Sequence, residues 1–375
     1  MDDAWAAMTS AAVVEIWRQL MKDDPTAVVE QHPDLLLRET SAPSASNPVH
    51  LLRLTSREGG TSPLAVLAKK RVRLPLITGL PKLNLDGLRL VGNGVIGAES
   101  PDLMREFVEQ IVAILDDRKH KYDCLLIEDV DTESLLWTQA RTERHVRGVV
   151  LVAPQTRWRL RFEGPADSYW NRFSSKTRYN FRRQKRLLGG EAECLRNESQ
   201  VAAFLEAAAA VSSRSWQGRR IGQRVARNDE WQSHFEELAR LGALRCYLLR
   251  VKDQPAAVAI GTQWNGRFIL EEIGYDTAFA DFSPGTVLML HMLEDMLQND
   301  PPRVLDFGFG DGAYKQLFGN WQSQSGDLLL LSRRLRMRPR IAVALNRTCT
   351  RLERTVRAGL ERSGLSRWVR KLYRR

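Results

Sequence analysis

The sequence predicts a mixed α/β protein in two parts followed by a basic helical tail, and three observations lead there. Strand-like apolar runs alternate with amphipathic helical runs along most of the chain, the pattern of layered α/β structure. Asn265-Gly266 stands between two strand-like stretches, and Asn-Gly is the preferred chemistry of a two-residue hairpin because both positions tolerate φ > 0. The charge is also unevenly placed. The 375 residues carry +11, but residues 333–375 hold fifteen Arg or Lys against two acids, so the first 332 residues sum to about −2.

The first part opens with a helical stretch, Ala11–Met21, stopped by Asp24-Pro25. A Ser/Pro/Asn-rich loop, Ser41–Pro48, precedes strands at Val49–Leu54, Leu64–Ala68 and Leu88–Val91, with Gly59-Gly60 as the first turn. Pro101–Asp117 reads as a strong helix, with Ser100 as cap, Pro101 in the first turn, and Leu103, Phe107 and Ile111 on one face. Tyr122–Glu128 reads as a strand, Asp131–Arg141 as a short helix, and Val149–Val152 and Trp158–Phe162 as two further strands.

At Gly164-Pro165 the composition changes. Asn171–Arg186 holds seven basic residues and no acid. Helices are expected over Gln200–Ser213 and Asp229–Leu241, the second closed by Gly242. Leu244–Val251, Ala256–Trp264 and Arg267–Tyr275 then form an antiparallel meander. Ser283-Pro284-Gly285 opens a long apolar helix through Asn299, and strands follow at Val304–Phe307 and Leu328–Ser332. The domains expected are residues 1–165, 166–335 and a tail of 336–375.

Hydrophobic residues make up 43% and charged residues 27%, the balance of a folded domain protein. No apolar run reaches the roughly eighteen residues of a membrane-spanning helix. The acidic start, Met1-Asp2-Asp3, does not resemble a signal peptide. Four scattered cysteines read as free thiols in a reducing compartment, and the six histidines form no ligand pair, so no metal is expected. The location expected is cytoplasmic. Neither a Gly-x-Ser-x-Gly elbow nor a phosphate-binding Walker loop occurs, which disfavours a serine hydrolase or P-loop enzyme.

Phe282-Ser283-Pro284-Gly285-Thr286 is a capped helix start with a glycine that allows close approach, and its dipole suits a phosphate or pyrophosphate. Its place after a meander is similar to the core of the GNAT acyltransferases. Phe173–Arg183, Ser215-Trp216, Tyr275-Asp276 with Ser283-Pro284-Gly285, and Asp306–Gly319 together resemble the CelD-like GNAT family, which was named for cellulose-biosynthesis loci and is related to the FemAB-type peptidyltransferases. The match covers about 166–332, and 49–160 looks like a divergent first half of the same double-GNAT architecture. That resemblance implies two mixed, mostly antiparallel sheets flanked by helices, with acyl-CoA or acetyl-CoA as co-substrate at Phe282–Thr286. One departure is that the common Gln/Arg-x-x-Gly-x-Gly/Ala loop is missing.

Acyl transfer to an amine needs a base for the ammonium proton and donors for the oxyanion or leaving thiolate. Asp311 is the first candidate base, Tyr314 the candidate acid, and Lys315 a holder of phosphate or carboxylate. Glu271-Glu272 lies late in the third meander strand, where alternation puts one carboxylate on each face; the resemblance makes Glu272 a second base. Trp216, Tyr275, Asp306 and Arg178 complete the expected substrate contacts. The acceptor is expected to be a small-molecule or saccharide amine. An aminoacyl-tRNA donor is the alternative the FemAB relation implies, and a non-catalytic membrane- or nucleic-acid-binding protein on this scaffold is another. The tail spaces Ile341, Leu345, Leu352, Val356 and Leu360 among arginines, a basic amphipathic helix suited to the protein's own body or to an anionic membrane surface, with nucleic acid less favoured.

Overall fold

A computed structural model describes residues 11–41, 49–55, 62–74, 82–117, 119, 122–142, 146–215, 225–332, 339–349 and 355. Two compact units emerge: residues 1–13, 42–153 and 326–375, and residues 14–41 with 154–325. Both are mixed α/β structures with mostly antiparallel sheets.

In the first unit, β1 (Val49–Arg53), β2 (Leu64–Leu74) and β3 (Leu83–Leu90) form an antiparallel meander. Helix α3 (Pro101–Asp116) crosses to β4 (Cys124–Asp131), which pairs parallel to β3 through Leu88↔Leu125. Ser100 caps α3 as expected, its Oγ accepting from Leu103 N at 3.2 Å. Met104, Phe107, Val108 and Ile111 pack with α4 (Leu135–Thr142) on one face of the sheet. Ala342 and Val343, in the helical residues 339–349, cover the other face at Val72, Leu74 and Leu126. Burial on both faces explains the unbroken apolar run Cys124–Ile127.

The second unit holds the site. Residues 154–161 of β5 (Val146–Arg161) belong to it, as do the short helices α5 (Ala166–Asn171) and α6 (Ser175–Leu188). Next come β6 (Glu191–Leu195), α7 (Val201–Arg214) and α8 (Asp229–Arg240). The meander β7 (Cys246–Val251), β8 (Gln254–Trp264) and β9 (Arg267–Tyr275) follows, then α9 (Pro284–Asn299), β10 (Val304–Phe309), α10 (Ala313–Phe318) and β11 (Trp321–Ser332). The strand order in this unit is β11-β5-β10-β9-β8-β7-β6, with β9 and β10 parallel. Helices α6 and α9 cover one face, through Phe181, Leu288 and Met292; α7 and α8 cover the other, through Phe204 and Phe235.

The expected hairpins form. Asn265 and Gly266 have φ of 46° and 74°, and Asn265 Nδ2 donates to the carbonyls of Met21 (2.7 Å) and Asp24 (2.8 Å) at the end of α1 (Ala11–Asp23). Lys252 and Asp253 turn β7 into β8, also at positive φ. Val149–Val152 and Trp158–Phe162 are one strand, not two: Pro154 lacks a donor, but β5 continues past it. Leu328–Ser332 is only the apolar end of β11, whose first residues, Trp321–Ser325, are too polar to show as a strand. Gly59-Gly60 and most of the tail lie outside the described residues. Among the described residues no helix is long and apolar enough to cross a membrane.

Gly261 is needed for close packing. A Cβ there would meet the ring of buried Phe268 and stand 2.6 Å from the carbonyl of Ile269. Gly261→Ala is expected to cost about 1–3 kcal/mol through overpacking, read as a lower urea midpoint with an unchanged slope.

Candidate functional site

The central feature is a β-bulge. β8 and β9 pair from Trp264↔Arg267 to Gly261↔Leu270 and resume at Ile260↔Glu272, so Glu271 is the extra residue of β9. Strict alternation would send Glu271 and Glu272 to opposite faces. The bulge instead sets both on the face of Ile260 and Thr262, correcting that expectation. Thr262 Oγ1 lies 3.3 Å from Glu271 Oε1. The Glu271 side chain reaches solvent, yet protein crowds its carboxylate. That desolvation, ahead of the charge of Glu30, raises it to about 7 against the opposing pull of His234 and Thr262.

Beside the bulge, β10 leaves β9. The parallel ladder runs from Val304↔Arg267 to Asp306↔Ile269, and further on β10 pairs with β5 at Phe309↔Arg157. Helix α10 follows and brings Tyr314 onto Phe307, edge to face at 6.2 Å. Burial, then the charge of Glu272, pushes the Tyr314 phenol to about 12, so it remains a donor at neutral pH. Lys315 is buried and donates to the Phe309 carbonyl, and its burial lowers its pKa. Asp311 is exposed. It accepts from Gln316 Nε2 at 2.5 Å and Trp158 Nε1 at 2.9 Å, bonds that hold its carboxyl below the usual range and make it a weak base. Asp306 is buried and held by the Nε atoms of Arg157 and Arg159, with Gly308 N at 2.9 Å.

The start of α9 differs from the predicted cap. Ser283 lies in the left-handed region, φ 52° and ψ 52°, and its side chain makes no capping bond. Its carbonyl accepts from Thr286 N and Val287 N at 3.0 and 3.1 Å. Non-glycine residues in this region are strained and gather at functional sites. Phe282 is exposed, and Gly285 sits against Tyr275, a Cβ there being 3.5 Å from the ring. Asp276 anchors the preceding turn, accepting from Ala278 N at 2.9 Å and Arg214 Nε at 2.5 Å. The first unit offers a contrast at its own Ser-Pro helix start: there Ser100 closes the cap itself and Asp102 adds negative charge to the first turn, which opposes an anion.

Arg178 lies in the first turn of α6. It accompanies Trp170, Asn171, Ser175, Asp167 and Arg182 around an open pocket of about 600 Å³, and it donates to Asn171 Oδ1 at 2.6 Å. Arg172, in the same basic stretch, is committed to the carbonyls of Leu317 (2.9 Å) and Gly319 (2.6 Å).

The charge of Glu272 thus reaches Tyr314, and Gly285 of the Phe282–Thr286 turn sits against Tyr275, while Arg178 lines an open pocket with Trp170 and Arg182. Trp216 lies outside the described residues. Sequence reasoning missed the special placement of Glu271, since a bulge leaves no periodic mark. It also missed Arg157, Arg159 and Arg267, although the alternating Arg157-Trp-Arg159-Leu-Arg161 was a visible signal.

Residues 175–316 match the family model of an acetyltransferase (GNAT) domain. That segment, under half of the chain, is similar to a GNAT domain. No curated protein matches the sequence. Among solved structures, FemX superposes with a TM-score of 0.61 at 12% identity, covering 84% of this chain and 95% of its own. L-PGS from Bacillus licheniformis gives 0.52 at 12%, with 90% and 96% covered. A conserved protein of unknown function from Bacteroides thetaiotaomicron gives 0.51 at 11%, with 87% and 99% covered. At such identities the likeness is one of fold, and that fold is GNAT-like.

Proposed function

We propose that this protein is an N-acyltransferase in which Glu271 removes the proton of an amine acceptor and the acyl donor is an acyl-CoA or carrier thioester. The observation carrying this reading is the carboxylate that the β9 bulge sets against Thr262, beside the point where β9 and β10 part; crowding there raises its pKa to about 7. A base poised near neutrality abstracts protons most effectively at neutral pH. In this reading the ammonium gives a proton to Glu271, the free amine attacks the thioester carbonyl, and the C–S bond breaks. Tyr314 protonates the departing thiolate, and the second amine proton restores the phenol as the amide forms. The β10-facing backbone of Leu270–Tyr275, outside the parallel ladder, would hold an extended amide-bearing donor arm as an added strand would be held. Phe282, Ser283, Pro284, Gly285 and Thr286 would hold its pyrophosphate. Burial, with the charge of Glu272, would keep the Tyr314 phenol protonated, and the Asp311–Trp158 bond would fix the surrounding loop. Catalysis belongs to the second unit, residues 14–41 with 154–325, with the first unit as support, and the basic tail would meet an anionic membrane surface.

The test is a thermal-shift titration of the full chain with acetyl-CoA and longer acyl-CoAs. A saturable rise in Tm is expected, since a ligand of the folded state stabilises by mass action. Gly285→Val should erase that rise while keeping the unliganded Tm within a few degrees. No rise with any acyl-CoA in the wild type would reject the acyl-CoA donor.

Likeness to FemX and the exposed basic residues of α6 favour a second donor, aminoacyl-tRNA. RNA that co-purifies with the protein and is released by Lys176→Glu with Arg183→Glu would select it.

A further inference from the structure

In the first unit, the helical residues 339–349 show apolar side chains on two faces. The inner face is already occupied: Ala342, Val343 and Asn346 are buried, the first two against Val72, Leu74 and Leu126 of the sheet. The outer face carries Ile341, Ala344, Leu345 and Thr348 at three- and four-residue spacing, all of them exposed. Ile341 is 52% exposed and Leu345, one turn on, is 48% exposed. A helix that served only to cover the sheet would turn polar residues outward there.

This outer face runs into a groove. Ile341, Ala342 and Leu345 line an open cavity of about 630 Å³ together with Lys82 and with Leu83 and Leu85 of β3. Single exposed aliphatic residues are ordinary, whereas two on one turn beside an apolar groove form a patch of the kind that meets a partner. The charge around the patch has one sign. Arg340 and Arg347 stand two turns apart on one flank of the outer face, and residues 339–349 contain no acid. Arg347 and Lys82 are exposed, and Arg340 Nε has no hydrogen-bond partner. From 333 to 375 the sequence holds fifteen Arg or Lys against two acids. Aliphatic side chains set among diffuse positive charge match a surface that is negative outside and apolar beneath, and an anionic bilayer is such a surface.

We propose that this face docks on an anionic bilayer, with Ile341 and Leu345 entering the boundary between headgroups and acyl chains and with Arg340, Arg347 and Lys82 meeting the headgroup phosphates. The proposal rests on the membrane reading of the basic tail and gives it an apolar insertion face; it is independent of the acyl-transfer chemistry.

The test is flotation of the full chain with vesicles of phosphatidylcholine alone and of phosphatidylcholine with phosphatidylglycerol, for wild type and for Ile341→Ser with Leu345→Ser. The wild type is expected to float with the phosphatidylglycerol vesicles and not with phosphatidylcholine alone. The double variant keeps every charge but loses two large aliphatic side chains from the interface, so its binding should be at least tenfold weaker. Its Tm should match the wild type, because both side chains point to solvent. A wild type that floats with neither vesicle overturns both the face and the membrane reading of the tail. Equal flotation of the variant overturns the face alone and leaves the charge of the tail to carry that reading. If equal flotation comes with a lower Tm in the variant, the chain itself covers the face. A concentration-dependent dimer that the variant loses would give the face to a second copy, and overturns the bilayer assignment.

Discussion

Glu271→Gln should lower kcat for acyl transfer by about 10²–10⁴-fold, the usual share of a general base. Wild-type activity should climb as pH rises through about 7 and level off above it, following the Glu271 carboxyl, while the residual activity of the variant should be flat there. Stability should move the opposite way. The carboxyl ionises near 4.5 in the unfolded chain and about 7 in the fold, so between those values the native state binds the extra proton. Native stability therefore falls as pH rises from about 4.5 to about 7 and stays lowered above. Gln removes that burden, so the variant should melt higher than wild type at pH 8 and with it at pH 4. A carboxylate with a structural role alone would leave the pH–rate profile unmoved.

Asp306→Asn is expected to have the largest effect on stability. Removing one partner of a buried ion pair typically costs about 3–5 kcal/mol, because the partner is left charged and uncompensated. Here two guanidiniums, Arg157 and Arg159, lose their shared carboxylate. Against a typical total of about 5–15 kcal/mol, such a loss approaches unfolding and would appear as a sharply lower urea midpoint. The pH dependence has a definite sign. Burial alone would raise the Asp306 carboxyl, but Arg157 and Arg159 prevail and hold it below its ordinary 3.8. Its stabilisation is thus complete above that value and disappears as pH falls through the lower, folded value. The wild type should lose stability steeply in acid, and the variant less so.

Much of the fold was legible because the elements announce themselves locally. The period of Met104, Phe107, Val108 and Ile111 marks α3, and the positive-φ chemistry of Asn265-Gly266 marks the β8–β9 turn. Misjudged elements lacked such marks. The polar start of β11 has no apolar alternation because Ser323 accepts from Arg159 instead of meeting a hydrophobic core. The helices α5 and α10 are six residues each, too short for a period to register. For the candidate site, sequence found the right segments but could not rank the groups within them. Asp311 and Glu271 are both carboxylates near glycines or turns. What separates them is tertiary: hydrogen bonds from Trp158 and Gln316 lower one, and crowding at a bulge raises the other.

The position of β11 has a consequence for how the chain is made. In the first unit the strand order is β1-β2-β3-β4-β11-β5, so the last-synthesised strand sits between two that are translated some 200 residues earlier. Until the ribosome has delivered residues 326–332, β4 and the start of β5 each present an unpaired edge, and Leu328 and Leu330 are missing from the core around Phe107. The nascent first half must wait, sticky-edged and incomplete, while the second unit emerges and folds. A nonsense codon anywhere before residue 326 would therefore do more than shorten the protein. It would strand the half synthesised first, making truncated products a natural burden on chaperones and proteases.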